Sequence, residues 1–253
     1  MKYYKTLLKL GCFTREQIVK LVGSNAGASS LIYDYLHKGY IKRVRRNLYV
    51  TISLETDYPV FNRYQIGSCL FEDAYISHHS AFELFNLYNQ VFNECYVATN
   101  HRFEDFDFYG IRFHRVQING QPDIIINNKT KYSSLEKTII DSISDCKKIA
   151  GLEEIIRCLV DIKKLDEEKL LKYLSDYNNG FLYQKCGYIF ESLNDNLNLS
   201  KNFFDECLKH ISNSKRYLDS KKICKTFNMK WKLYVPITIY NFIDKGIDPN
   251  AIY

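Results

Sequence analysis

"GYIKRVRRNLYV" (Gly39–Val50) is the stretch on which the reading of the chain turns. Ile41, Val44, Leu48 and Val50 supply the apolar residues of two short strands, while Lys42, Arg43, Arg45 and Arg46 put four cations within five positions. Two explanations compete. Lysine and arginine on an edge strand discourage edge-to-edge pairing; alternatively, the hairpin presents its charge to a polyanion. Its turn, Arg45-Arg46-Asn47, includes an asparagine, which tolerates the positive φ of tight turns.

The flanking residues favour the second explanation. Leu7, Leu8 and Leu10 suggest a first helix in "KYYKTLLKL". In "TREQIVKLVG", Thr14 and Gln17 stand at capping-box spacing, Ile18, Leu21 and Val22 form an inner face, and Gly23 ends the helix. Ala28, Leu31, Ile32, Tyr35 and Leu36 then fall at i, i+3, i+4, i+7 and i+8, an apolar helical stripe begun by Ser24 or Asn25 and closed by Gly39. The order helix, helix, turn, helix, strand, basic turn, strand is that of a winged helix-turn-helix, whose second helix of the pair reads the major groove. The hairpin is then the wing. Asn25, Ser29, Ser30 and Tyr33, on the N-terminal half and outer face of the reading helix, are expected at base edges. Ser24, Lys42, Arg43, Arg45 and Arg46 are expected at phosphates.

Charge is distributed to match. Residues 1–50 hold ten Lys and Arg against Glu16 and Asp34, a net +8; residues 51–200 carry −7 and residues 201–253 carry +5, within a total of +6. A basic module followed by an acidic body is the electrostatic footprint of a nucleic-acid-binding segment. The basic end, with Lys221, Lys222, Lys225, Lys230 and Lys232 around Trp231, is either a solvated face or a contact for RNA or a nucleotide-handling partner.

Other function classes find less support. No apolar run approaches the roughly 20 residues of a membrane span, and the N-terminal apolar stretch is too short for a signal peptide. The eight cysteines are nowhere within three residues of one another, which suits reduced thiols in a cytoplasmic protein better than zinc knuckles or disulfides. His78, His79, Cys95, His101 and His114 invite a metal reading, but adjacent helical residues point about 100° apart, so no metal site is expected. Pro122-Asp123 lacks a nearby Glu-x-Lys strand for metal-dependent nuclease chemistry; Glu136 and Asp141 read as a capping and a surface residue. "GSNAGAS" (Gly23–Ser29) lacks the Lys-Ser/Thr of a phosphate loop. No catalytic residue, enzyme activity or cofactor is expected.

Beyond the hairpin the pattern is α+β and helix-rich. Helices are expected in 58–71, 77–89 and 133–143, the last with Ser133 and Glu136 at capping-box spacing, and strands in 94–100 and 108–118. "LEEIIRCLVDI", "DEEKLLKYLSDY", "LYQKCGYIFESL" and "LSKNFFDECLKHI" are expected as further helices, and "KWKLYVPITIY" as a late strand or extended segment. The expected domains are 1–53, the winged helix, and 54–253, divided softly near 128–133 into a mixed α/β part (54–130) and a mainly helical part (131–253).

The succession of the basic N-terminal module, "YISHHSAFELFNL", "YVAT", "SSLEKTIIDSI", "QKCGYIFESL" and "KWKLYV" resembles the AbiEi-type antitoxins of bacterial abortive-infection toxin–antitoxin systems over nearly the whole chain. The motifs are loose, and their order carries the resemblance. It implies a repressor of its own operon that binds inverted repeats in double-stranded operator DNA. It also implies a C-terminal domain that counteracts a nucleotidyltransferase-like toxin, with no stable complex required. Asn47 stands where that family often has Gly in the wing. Two alternatives remain at this point: an interaction protein that neutralises its toxin by direct binding, and a winged-helix regulator unrelated to a toxin.

Overall fold

A computed structural model describes residues 2–242; the end of the basic C-terminal segment, Lys245 included, lies outside the described residues. The fold is mixed α/β, with eleven α-helices and three sheets among the described residues. Within them no helix is long and apolar enough to cross a membrane. The chain forms two compact units: Met1–Ile76 with Asn93–Val116 and Ile126–Tyr132, and Ser77–Phe92 with Gln117–Ile125 and Ser133–Tyr253.

The first unit begins with α1 (Tyr4–Leu10), β1 (Cys12–Thr14), α2 (Arg15–Val22), α3 (Asn25–His37), β2 (Ile41–Arg45) and β3 (Leu48–Thr51). Local chemistry sets these boundaries. The Thr14 hydroxyl accepts from Gln17 N while Gln17 Oε1 accepts from Thr14 N at 2.8 Å, a closed capping box. Gly23 ends α2 at φ +86°, a left-handed position that a side chain would strain. The Ser24 hydroxyl accepts from Gly27 N at 3.1 Å and starts α3. Leu7, Phe13, Ile18, Ala28, Ile32, Tyr35, Ile41 and Tyr49 close one core beneath the helices. Truncating a buried residue such as Ile18 is expected to cost roughly 2–5 kcal/mol. β1 escaped the sequence reading because three residues are too few to show alternation; it pairs antiparallel with β3, giving the order β1-β3-β2.

The same unit continues with α4 (Arg63–Ser68), β4 (Tyr75–Ile76), β5 (Glu94–Ala98), β6 (Phe106–Phe108), β7 (Ile111–Val116), the second half of β8 (Ile124–Asn127) and most of β9 (Thr130–Ser133). These strands form one sheet in the order β6-β7-β5-β4-β9-β8. The helix expected over 58–71 is confined to α4. Asn62 sits inside that stretch and caps it, its Oδ1 accepting from Tyr64 N and Gln65 N, both at 3.0 Å. Gly67 lets α4 lie against the sheet; a Cβ there would come within 2.8 Å of the Ile76 side chain. Residues 1–53 share packing with the rest of this unit: Phe61 fills the space beside Gly11, and Ile52 bridges to Pro59.

The second unit is mainly helical: α5 (His78–Leu84), α6 (Leu135–Ser144), α7 (Leu152–Val160), α8 (Glu167–Tyr177), α9 (Gly180–Ser192), α10 (Asn194–Leu197) and α11 (Lys201–Lys209). A small sheet of β10 (Arg216–Tyr217), β11 (Thr226–Asn228) and β12 (Leu233–Val235) follows in the order β10-β12-β11. Ile139, Ile140, Ile155, Ile156, Leu159, Leu170, Tyr173 and Phe190 are among its core residues. Trp231 is fully buried in a notch opened by Gly187, its Nε1 donating to Glu191 Oε2 at 2.7 Å. It is therefore a core residue and not a stacking surface among the C-terminal lysines.

The surroundings of α6 differ from the local expectations at two places. The cap of α6 is Ser134, which accepts from Lys137 N; Ser133 instead shares a hydrogen bond with Thr138 Oγ1 at 2.8 Å, and Glu136 accepts from Asp166 N at 3.1 Å. Asp141 is not on the surface. It is buried beside Lys137 and accepts from the Tyr177 hydroxyl at 2.9 Å.

Candidate nucleic-acid interface

α3 buries Ala28, Ile32 and Tyr35 and exposes Ser24, Asn25, Ser29, Ser30 and Tyr33. The division follows from helical spacing: the apolar stripe anchors one face, so residues one or two positions away must point to water. Tyr33 is 74% exposed, far beyond what an aromatic ring in a fold needs, and its ring lies against His37 at 6.4 Å. Ser24 is committed to its cap, so only its remaining lone pair and its hydroxyl proton are open to a phosphate.

Arg15, which the sequence reading passed over, organises this face. Its Nη1 donates to Asn25 Oδ1 at 3.0 Å and its Nη2 to Ser29 Oγ at 3.0 Å. Its backbone N donates to Asn47 Oδ1 at 3.0 Å, and Asn47 Nδ2 donates to Glu16 Oε2 at 2.9 Å. One small network thus joins the start of α2, the first turn of α3 and the hairpin turn. The hydrogen bond from Asn47 is the chief reason that the exposed Glu16 carboxyl sits below the usual carboxylate range. The signal was an arginine at the first position of a capped helix, three-dimensionally adjacent to the next helix's start; nothing in the spacing announces that adjacency.

The hairpin turns through Arg46 and Asn47, since Arg45 already pairs with Leu48, and Asn47 takes φ +62°. Lys42, Arg43 and Arg46 are exposed, with the Arg43 guanidinium 5.7 Å from the Tyr49 ring centre. Arg45 is packed differently from the other three cations. The register of β2 shifts between Arg43 and Arg45, and the Arg45 guanidinium lies over Phe71 at 4.2 Å and over Phe103 at 5.9 Å. Burial pulls its pKa down, yet an arginine remains charged at any physiological pH. Beside it an open hollow of about 400 Å³ is lined by Thr14, Arg46, Asn47, Cys69 and Glu72. Of the four hairpin cations, three face outward and one is packed on aromatic rings.

The histidines are dispersed among carboxylates and hydroxyls. His78 contacts Ser77 Oγ at 3.0 Å, His79 lies 3.5 Å from both Glu83 and Glu154, and His114 is 2.6 Å from Asp105. Among the described residues no group of three or more His, Cys, Asp or Glu is arranged to hold a metal ion.

No protein-family model matches the chain, and no curated protein matches it. Among solved structures, the crystal structure of the RV2827C protein from Mycobacterium tuberculosis is similar, with a TM-score of 0.63 over 95% of this chain and 92% of that one. The two sequences are 11% identical, so the likeness speaks to the fold alone.

Proposed function

We propose that residues 1–53 are a winged helix-turn-helix that binds operator DNA, and that the chain is a cytoplasmic, non-enzymatic autorepressor and antitoxin of the AbiEi type. The observation that carries this reading is the exposed polar face of α3 beside a hairpin with three outward cations, the two joined through Arg15 and Asn47. In this reading α3 enters the major groove, where an Asn side chain matches the N6 and N7 edge of adenine and Tyr33 offers an apolar body to a thymine methyl. Lys42, Arg43 and Arg46 lie along phosphates and set register without reading sequence. Arg45 is taken out of that set, because its guanidinium is engaged with Phe71 and Phe103. The antitoxin role rests on the order of motifs in the sequence, and its partner is a nucleotidyltransferase-like toxin.

The test is a salt titration of binding to the DNA upstream of the chain's own gene, with random duplex alongside. Three phosphate contacts predict a fall in log K with log salt of roughly 0.9 for each. Salt-insensitive affinity overturns the DNA-binding reading, and equal affinity for both duplexes at every salt concentration overturns the operator-reading role of α3. Growth of cells carrying the neighbouring toxin gene, with and without this chain, tests the antitoxin role. Co-elution of the two proteins at moderate salt identifies direct neutralisation, and separate elution the indirect mode.

A further inference from the structure

The two edge strands of the six-stranded sheet differ in composition. β6, at one edge, is short and carries Asp107, whose carboxylate pairs with Arg112 at 2.6 Å. Charge on an edge strand discourages pairing with another chain. β8, at the other edge, reads Ile124-Ile125-Ile126-Asn127 and holds neither a charge nor a proline. Its isoleucines are 37%, 36% and 72% exposed. Successive residues of a strand point to opposite faces, so both faces of β8 are apolar and open to water. Among the described residues no strand lies beyond it.

The ends of β8 fix which way its backbone groups point. Asp123, just before the strand, donates its N–H to the Tyr173 hydroxyl at 3.2 Å, and its carbonyl accepts from Ser134 N at 2.9 Å, one residue past β9. That hydroxyl lies 3.3 Å from Ser134 Oγ, so both backbone groups of Asp123 turn to the β9 side. At the other end Asn128 and Lys129, at φ +43° and +62°, make the two-residue turn that joins β8 to β9. Backbone groups alternate sides along an antiparallel strand. Ile125 and Asn127 therefore point theirs at β9 as Asp123 does, and Ile124 and Ile126 point theirs outward.

We propose that β8 is a self-association edge, at which two copies of the chain pair β8 with β8, antiparallel, about a two-fold axis at Ile125. In this register Ile124 of each copy faces Ile126 of the other, and each such pair exchanges both N–H···O bonds. Asp123 faces Asn127, so no like charges are opposed. Other two-fold registers lose bonds. Moving the axis to Ile124 sets Ile126 against Pro122, which has no N–H, and moving it to Ile126 sets Ile124 against Asn128 in the turn. The side chains also select a copy as the occupant. With both faces of β8 apolar, a fitting strand must be apolar at successive positions, not alternate ones, and β8 itself is such a strand. An edge this short buries less than the roughly 1,200 Å² of a stable interface, so the pair is reversible and depends on concentration.

Cysteine substitutions in the full-length chain test the register. Ile125→Cys sets the new thiol against its own copy across a non-hydrogen-bonded pair, where Cα atoms lie about 4.5 Å apart, within the span of a disulfide. Ile124→Cys leaves the two new thiols diagonal, about 8 Å apart, too far to bridge. In oxidised glutathione, with the unaltered chain as background for its own cysteines, Ile125→Cys should form a covalent dimer roughly tenfold faster than Ile124→Cys. Sedimentation of the unaltered chain should show a mass that rises with concentration from one copy towards two and no further. Ile126→Pro removes an outward N–H and no bond to β9, and should weaken association roughly tenfold. Should that variant fail to fold, Ile125→Lys, which sets two ammonium groups opposite each other, should weaken it as much. Equal cross-linking of the two cysteine variants, a mass of one copy at every concentration, growth beyond two copies, or association unchanged in a folded Ile126→Pro or Ile125→Lys overturns the proposal.

Discussion

α3 and α6 are both serine-capped helices with polar residues scattered along them, yet they use those residues in opposite ways. On α3, Asn25, Ser29, Ser30 and Tyr33 face water, and Arg15 holds two of them by hydrogen bonds that compete with solvent. Each such bond contributes only about 0.5–1.5 kcal/mol, so the face is free to exchange protein partners for a ligand's. On α6, Lys137 is 0% exposed; its ammonium pairs with Asp141 one turn on and lies between the rings of Tyr173 and Tyr177, at 5.6 and 5.2 Å. No solvent is there to replace a lost partner. The difference teaches that polar side chains on the first unit's helix stay open to water, whereas those on the second unit's helix are committed to the fold itself.

The strongest challenge to that contrast is Lys137→Met. It leaves Asp141 buried with its charge uncompensated and should lower stability by about 3–5 kcal/mol, read from urea unfolding; adding Asp141→Leu should restore most of it. A loss no larger than that of an exposed substitution would place α6 in the same class as α3. Next comes His78, buried beside Asp141, whose pKa burial pushes down from 6.5 to about 4. Between those values the unfolded chain binds a proton that the folded chain refuses, so stability falls as pH drops from about 6.5 towards 4 and levels off below. At about 1.4 kcal/mol per pH unit the loss is roughly 3 kcal/mol, and His78→Gln should flatten that part of the unfolding profile.

Smaller effects belong to the first unit. Asn25→Ala should cost roughly 1–3 kcal/mol on the preferred DNA sequence and little on random duplex. Arg46→Ala should weaken both equally and reduce the salt slope by about 0.9. The reverse pattern would exchange the roles of α3 and the hairpin. The smallest expected change is for Arg45→Ala: a stability loss of about 0.5–2 kcal/mol from its lost ring contacts, with less effect on DNA affinity than Arg46→Ala. A DNA defect as large as that of Arg46→Ala would return Arg45 to the phosphate-binding set.

Sequence alone determined the local events of this protein. Thr14 with Gln17, Ser24, Gly23, Gly39 and Asn47 act through hydrogen bonds and backbone dihedrals within a few residues, so their helix starts, helix stops and turn were legible. The stripe from Ala28 to Leu36 was legible because the helical period forces one face inward. Tertiary structure decided the rest. β1, β4 and β6 each span three residues or fewer and exist through partners distant in sequence. A side chain's spacing does not say which surface will meet it. Arg45 went to Phe71 and Phe103, Asp141 to Lys137 and Tyr177, Trp231 to Gly187, and Arg15 to Asn25 and Ser29. The physical reason is the same in each case: charge, polarity and ring size are properties of one residue, whereas burial and partnership are properties of two surfaces that only folding brings together.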